Sequence, residues 1–321
     1  MRIWALLDDR AGNNSQVLGV AEALGMPFEE KKVSYTKWVK LHNIFKGATC
    51  LGIDKDSLLK LDLSAEQLPD LIIGAGRRIF PLMRYLKKKS AGKTRIVQVM
   101  NPGLVGFSEA DLVVLPKHDN YKKKASNVIH TLGSVHRVTE AKLAEEEEKW
   151  KNIFENYPMP RVSVIVGGST KKMPFSKQMA EQLAFQVMAL KPSSVLVTTS
   201  RRTPPDVVEI LKQIFPKQMT YFYQYGDEGE NPYFGLLAFG NRIVVTGDSM
   251  SMCSEACAAG VPVYIFAPSG SMGKKHALFH SQLYASGYAT ALGSGQTAFG
   301  GRLNEAAAVA ERIKTILEIQ D

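Results

Sequence analysis

The sequence predicts an α/β protein made of two doubly wound, Rossmann-like domains. Three observations carry that expectation. A chain of 321 residues is long for one hydrophobic core and natural for two. Short apolar runs alternate with longer helical patterns, as in parallel sheets covered by helices. Near mid-chain, Tyr157-Pro158-Met159-Pro160 interrupts the alternation.

In the first half, strands are expected at Ile3–Leu7, 71–74, 96–100 and 112–115, and helices at 15–24 and 78–88. Each strand run is short and rich in Val, Ile or Leu, which suits a strand buried on both faces. Residues 138–156, rich in Glu, Lys and Ala, read as a helix that the proline run ends. Its acidic run 145–148 reads as a solvated face. The second half opens at Arg161–Val166 and continues with strands at 194–198, 219–223, Arg242–Thr246 and Val263–Phe266. Residues 303–320 carry Val309, Ile313, Ile316 and Leu317 at helical spacing, which predicts a C-terminal helix with an apolar stripe. The expected division is 1–157, 158–302 and the helix of 303–321.

Hydrophobic residues at 45% and charged residues at 22% exclude disorder as the main state. A formal net charge of +9 favours anionic partners: nucleotides, lipid phosphates or nucleic acid. Nucleic acid is disfavoured because no recognition motif accompanies the charge. Cys50, Cys253 and Cys257 make no zinc pattern and suit a reducing compartment. No apolar run reaches the ~20 residues of a membrane span. Arg2-Ile3-Trp4-Ala5-Leu6-Leu7, stopped by Asp8-Asp9, is too short for a signal peptide, and no targeting extension is expected before it. The expectation is a cytoplasmic protein. The clusters Lys87-Lys88-Lys89 and Lys122-Lys123-Lys124 read as solvated faces or, more sharply, as contacts with anionic lipid or a lipid-linked acceptor at the inner membrane face.

The most informative stretch runs from Arg242 to Phe266 as strand, polar turn, helix, Gly260-Val261-Pro262 turn and strand. Ser249, Met250 and Ser251 open the helix, whose first N–H groups are unpaired and partly positive, so a diphosphate can dock there. Glu255 follows within the first turns and can accept hydrogen bonds from both ribose hydroxyls. The same residues also fit an ordinary βα turn in which Ser249 caps the helix and Glu255 lies on the surface.

This stretch resembles the donor-binding segment of glycosyltransferase-B enzymes such as the peptidoglycan transferase that adds N-acetylglucosamine. There a serine-bearing turn precedes a helix whose Glu holds the nucleotide ribose, and Gly-Xaa-Pro leads to the next strand. Almost the whole chain is similar to the mitochondrial-fission Elm family. The matching pieces are Asp8-Asp9-Arg10-Ala11-Gly12-Asn13-Asn14-Ser15-Gln16, Gly74-Ala75-Gly76-Arg77-Arg78, Pro116-Lys117-His118-Asp119, Gly167-Gly168-Ser169 and Thr246-Gly247-Asp248-Ser249-Met250-Ser251-Met252. Where that family has Asp-Pro-Arg after the third strand, this chain has Asn101-Pro102-Gly103, so that loop is assigned no catalytic role. The resemblance implies a glycosyltransferase-B-like fold, with two domains facing across a cleft and the C-terminal helix crossing back to the first.

Other loops at expected strand ends complete the candidate site. Gly12, Asn13 and Asn14 follow the first strand, where open α/β sheets bind ligands; the alternative is a capped helix start. Gly76 permits close backbone approach, and Arg77 offers a phosphate clamp. His118 beside Asp119 is the candidate general base for an acceptor hydroxyl. Gly167, Gly168 and Ser169 are expected beside the nucleotide. So are Arg201 and Arg202, since without a metal cationic side chains must steady the leaving diphosphate. Residues 269–276 read as a mobile loop. His276 and His280 lack an acidic third ligand, and no metal is expected. Tyr85 and Lys89 match the spacing of short-chain reductases and epimerases, but loop 8–16 has one glycine where those need Gly-Xaa-Gly-Xaa-Xaa-Gly. The function expected is metal-independent transfer from a nucleotide-diphosphate sugar, with no cofactor. A non-hydrolysing sugar-nucleotide epimerase and a non-catalytic interaction protein are the alternatives.

Overall fold

The computed structural model describes residues 1–61, 63–64, 67–103, 105–119, 121, 125–170 and 174–318. The Lys122-Lys123-Lys124 cluster lies outside the described residues. The chain forms two compact units, Met1–Arg137 with Asn304–Asp321, and Val138–Leu303.

The first unit runs β1 (Ile3–Leu7), α1 (Ala11–Ala23), β2 (Glu29–Lys32), α2 (Asn43–Lys46), α3 (Lys55–Lys60), β3 (Leu71–Ala75), α4 (Phe80–Lys89), β4 (Arg95–Val99), β5 (Leu112–Pro116) and β6 (Val128–Thr131). Its strands are parallel in the order β2-β1-β3-β4-β5-β6. β1, β3 and β5 are buried along their whole length, which is why they read as unbroken apolar runs. Alternate residues face two cores: Ile3, Ala5 and Leu7 pack with α1, and Trp4 and Leu6 pack with α4. The edge strands β2 and β6 carried no comparable signal. β2 is Glu-Glu-Lys-Lys, a charged edge that blunts pairing with other chains, and it is held by Lys31 over the Trp4 ring at 4.9 Å.

The second unit runs α5 (Glu140–Phe154), β7 (Arg161–Val166), α6 (Lys177–Ala189), β8 (Ser194–Thr199), α7 (Pro205–Ile214), β9 (Thr220–Tyr223), α8 (Tyr233–Phe239), β10 (Arg242–Thr246), α9 (Met250–Ala258), β11 (Val263–Phe266), α10 (Lys274–Ala285) and β12 (Thr290–Ala291). Its parallel order is β12-β11-β10-β7-β8-β9. The last helix, α11 (Glu305–Leu317), belongs to the first unit: Ala306, Val309, Ala310 and Ile313 share a core with Val17, Val20 and Ala21 of α1.

Several expectations shift. The acidic run 145–148 is not wholly a solvated face, because Glu146 is buried and accepts from Trp150 Nε1 at 3.0 Å. The boundary falls at 137/138 rather than 157/158, because α5 packs on α8 of the second unit. Phe154 is wholly buried, 5.3 Å from the Phe239 ring and 5.0 Å from Tyr221, and Gly235 leaves room for Trp150 where a Cβ would stand 2.5 Å from its ring. The proline run ends the helix but does not part the cores. Residues 269–276 are not all loop, since α10 begins at Lys274.

Candidate functional site

Each sheet changes its direction of strand addition once, at β1 beside β3 and at β7 beside β10. Loops leaving the carboxyl ends of strands at such switch points are where open α/β sheets bind ligands. Gly12, Asn13, Asn14, Gly76 and Arg77 fall at the first switch point and Gly167, Gly168, Ser169, Ser249, Met250 and Ser251 at the second, whereas Arg201 and Arg202 follow the adjacent β8 and His118 and Asp119 follow β5, away from the switch.

In the second unit the loops after β7, β8 and β10 are tied together by Asp248. Its carboxylate accepts from Gly168 N at 3.0 Å and from Thr246 Oγ1 at 2.6 Å, and pairs with Arg202 at 2.7 Å. Thr246 Oγ1 in turn accepts from Gly167 N at 2.7 Å. Arg202 also donates to the carbonyl of Ser169 at 3.2 Å, and Ser169 N donates to the carbonyl of Arg202 at 3.0 Å. Ser200 Oγ and Thr203 Oγ1 both donate to the carbonyl of Gly167. The two glycines are demanded by this packing: a Cβ on Gly167 would stand 2.3 Å from the Asp248 carboxylate, and one on Gly168 2.1 Å from the carbonyl oxygen of Arg202. Arg202, expected on the diphosphate, is thus committed to Asp248 although its side chain is 40% exposed; Arg201 is exposed as well. A small cavity lies beside these loops, lined by Gly168, Phe175, Thr246, Asp248, Phe266 and Met272 among others.

Helix α9 starts at this switch point. Ser249 caps it, its Oγ accepting from Met252 N at 3.4 Å; Met250 and Ser251 form its first turn. Glu255, only 6% exposed, accepts a hydrogen bond from Tyr233 of α8, so it is no surface residue. Burial, together with the neighbouring Glu255 charge, pushes the Tyr233 pKa well up. His280 Nε2 lies 2.9 Å from the carbonyl oxygen of Gly247, and His276 Nε2 3.2 Å from that of Asp248, so each ring contacts the backbone of the β10–α9 turn. Burial lowers the His280 pKa to about 4.

In the first unit Gly12, Asn13 and Asn14 lie in the first turn of α1, which begins four residues earlier than expected. The reason is Asp8. Asp8 N donates to Asn14 Oδ1 and Asn14 Nδ2 donates to the Asp8 carbonyl, both at 2.8 Å. Asn13 Nδ2 donates to the Asp8 carboxylate at 3.1 Å, so these amides serve the turn itself. Arg78 pairs with Asp8 at 2.9 Å and with Asp9, and lies over the Tyr35 ring at 4.5 Å. Gly76 takes a left-handed φ of +79° beside Asn13, and Arg77 is exposed. His118, 4% exposed, follows β5 in a short turn, its Nε2 3.9 Å from the Asp119 carboxylate.

Sequence reasoning quoted Thr246 and Asp248 but gave neither a role, assigned none to Ser200 or Thr203, and missed Tyr233. Asp248 and Arg202 are far apart in the chain, and no spacing rule joins them. Only the sheet order, which puts β7 between β8 and β10, reveals the pair.

Comparison with known proteins agrees on the fold. The chain aligns over 100% of itself with UDP-GlcNAc 2-epimerase from Methanocaldococcus jannaschii, covering 100% of that chain at a TM-score of 0.55 and 13% identity. It aligns likewise with a single-site variant of Os79 from O. sativa in complex with UDP, covering 91% of that chain at a TM-score of 0.53 and 10% identity. Identities this low show fold alone, here two Rossmann-like units of the glycosyltransferase-B-like kind. Among curated proteins it is 31% identical to the uncharacterized protein RP120 of Rickettsia prowazekii (strain Madrid E), over 99% of each chain. It is 28% identical to the mitochondrial fission protein ELM1 of Arabidopsis thaliana, over 61% of this chain and 51% of that one. The family model Mito_fiss_Elm1, Mitochondrial fission ELM1, matches residues 11–317, and the chain belongs to that family.

Proposed function

We propose that the second unit binds a nucleotide-diphosphate sugar at the start of α9 and that the protein transfers the sugar without a metal. One observation carries the reading: a buried carboxylate, Glu255, sits on the helix that opens at the β7/β10 switch point. Unpaired N–H groups at Met250 and Ser251 would take the diphosphate, with the Ser249 and Ser251 hydroxyls and the exposed Arg201 beside it. Arg202 would act through Asp248 by holding Gly168 and Ser169 in place. The ribose hydroxyls would share the Glu255 carboxylate with Tyr233. The acceptor is assigned to the first unit's loops at Gly12, Asn13, Asn14, Gly76 and Arg77, with His118 and Asp119 as base. A lipid-linked or membrane-surface hydroxyl compound is the acceptor class that the basic chain favours.

The second reading is epimerisation of the nucleotide sugar without an acceptor, supported by the whole-length likeness to a UDP-GlcNAc 2-epimerase. Calorimetric titration with UDP, GDP, ADP and their sugar conjugates tests both. One nucleotide should bind, and Glu255→Ala should weaken it at least about tenfold, the worth of one hydrogen bond to a charged group. Unchanged affinity in that variant refutes the site. A single epimeric product without acceptor selects the second reading, and no nucleotide binding at all selects a non-catalytic interaction protein.

A further inference from the structure

Between β2 and β3 the chain leaves the first sheet for an excursion that contains α2 and α3. Six of the thirteen large hydrophobic residues exposed among the described residues lie in it: Trp38, Leu41, Ile44, Phe45, Leu51 and Leu59. Within α2 the usual order of burial is inverted. Asn43 and Lys46 are 0% and 2% exposed, while Ile44 and Phe45 are 56% and 79% exposed. Burial, with the charges of Arg77 and Arg78, lowers the Lys46 pKa, so enclosing this lysine has a cost. The buried polar pair acts as an anchor: Lys46 Nζ donates to the Val39 carbonyl at 3.3 Å, and Asn43 Nδ2 donates to the carbonyls of Arg77 and Pro102 at 2.9 and 3.0 Å.

The excursion is also fixed. Tyr35 and Ile53 form an antiparallel bridge. Gly52 lies so close to Val39 that a Cβ on it would stand 2.9 Å from the Val39 Cα. Arg84 of α4 donates to the Gly47 carbonyl at 3.2 Å. Single exposed apolar side chains are ordinary, but a run of them on one fixed segment marks an interaction surface.

Charge says what lies against it. From Thr36 to Ile53 there is no acidic residue, and Lys37 and Lys40 are exposed beside Trp38 and Leu41. Lys37 Nζ is 5.6 Å from the Trp38 ring centre. Lys89, exposed at the end of α4, is near enough to Cys50 for its charge to pull that thiol's pKa down against the burial that raises it. The core of a protein–protein interface is poor in lysine. A tryptophan among lysines, next to exposed aliphatic and aromatic side chains, is instead the composition that seats at lipid headgroups. We infer that residues 37–51, with Lys89, are a docking surface for an anionic lipid bilayer. Ile44 and Phe45 enter the acyl boundary, Trp38 lies at headgroup level, and the lysines meet lipid phosphates. None of these residues is assigned to the nucleotide.

The full chain is floated with vesicles of phosphatidylglycerol and phosphatidylcholine in equal parts, and with phosphatidylcholine alone. It should float with the first and much less with the second. Ile44→Ser/Phe45→Ser should lower partitioning at least about tenfold, through the apolar area removed. Lys37→Glu/Lys40→Glu, which leaves that area intact, should lower it about tenfold or more through lost headgroup attraction. Trp4 and Trp150 are buried, so a blue shift of emission on adding vesicles, absent in Trp38→Phe, reports Trp38 entering the interface. Melting curves show that the variants are folded. The inference is overturned if the parent does not float with anionic vesicles, or if both double variants float as the parent does. It is also overturned if the parent sediments as a dimer that Ile44→Ser/Phe45→Ser dissociates without any flotation, which assigns the face to a second copy of the chain.

Discussion

Replacing Asp248 by alanine removes one acceptor from three partners: Gly168 N, Thr246 Oγ1 and the Arg202 guanidinium. The Asp248 side chain is 7% exposed, so the hydrogen bonds it accepts are shielded from water. A hydrogen bond to a charged group contributes about 1.5–3 kcal/mol. Thr246 can turn its hydroxyl elsewhere, so the two together are worth about 3 kcal/mol rather than the full sum. The ion pair adds little, because the Arg202 side chain is 40% exposed and solvent screens it to about 0–1 kcal/mol. A loss of about 3 kcal/mol lowers the melting temperature of a unit this size by roughly 6–12 °C. Scanning calorimetry of the whole chain measures it. Arg202→Met should cost no more than about 1 kcal/mol. The reasoning is refuted if Asp248→Ala melts within a degree or two of the parent. It is equally refuted if Arg202→Met costs as much as Asp248→Ala, because the ion pair and not the backbone ties would then hold the loops.

Gly168→Ala forces a Cβ against the backbone carbonyl of Arg202, which cannot swing aside; a loss of about 1–3 kcal/mol is expected in the same calorimetry, and a neutral result refutes the close approach. Ile313→Ala empties a wholly buried position in the core shared by α1 and α11; about 2–5 kcal/mol should be lost from the first unit's transition and none from the second's. His280 titrates near 6.5 when unfolded and at about 4 in the native chain, so the unfolded state binds the extra proton between those values. Its contribution, up to about 3 kcal/mol, is full above pH 6.5 and is lost as the pH falls toward 4. Denaturant titrations across that range should show the slope, and His280→Gln should flatten it.

The fold was legible because its causes are local. Strands such as Arg161–Val166 and Val263–Phe266 are buried on both faces and announce themselves as apolar runs. What stayed hidden depends on partners distant in sequence. Residues 138–156 read as a helix of the first half closed by the proline run, and only Phe154 against Phe239 and Tyr221 shows that α5 belongs to the second core. β2 is charged because it is an edge, and the inverted burial of α2 has no signature in a four-residue helix.

The polar loops show most clearly where pattern reading stops. Gly167-Gly168 and Arg202 look like a phosphate cradle with its clamp. In the structure the same residues satisfy one another through Asp248 and leave the glycines no room for a side chain. The first unit repeats the arrangement: Asp8, leaving one strand of its switch point, takes Arg78, which follows the neighbouring strand. In both units an aspartate after a switch-point strand draws an arginine out of play as a free cation and uses it to fix a loop. Beside each of these paired arginines stands another, Arg201 and Arg77, that is exposed. An anionic ligand at either switch point meets loops whose backbone is already held, with Arg201 or Arg77 rather than the paired Arg202 or Arg78 as the adjacent cation. Arg201→Met should accordingly weaken nucleotide binding more than Arg202→Met does once both variants are measured well below their melting temperatures.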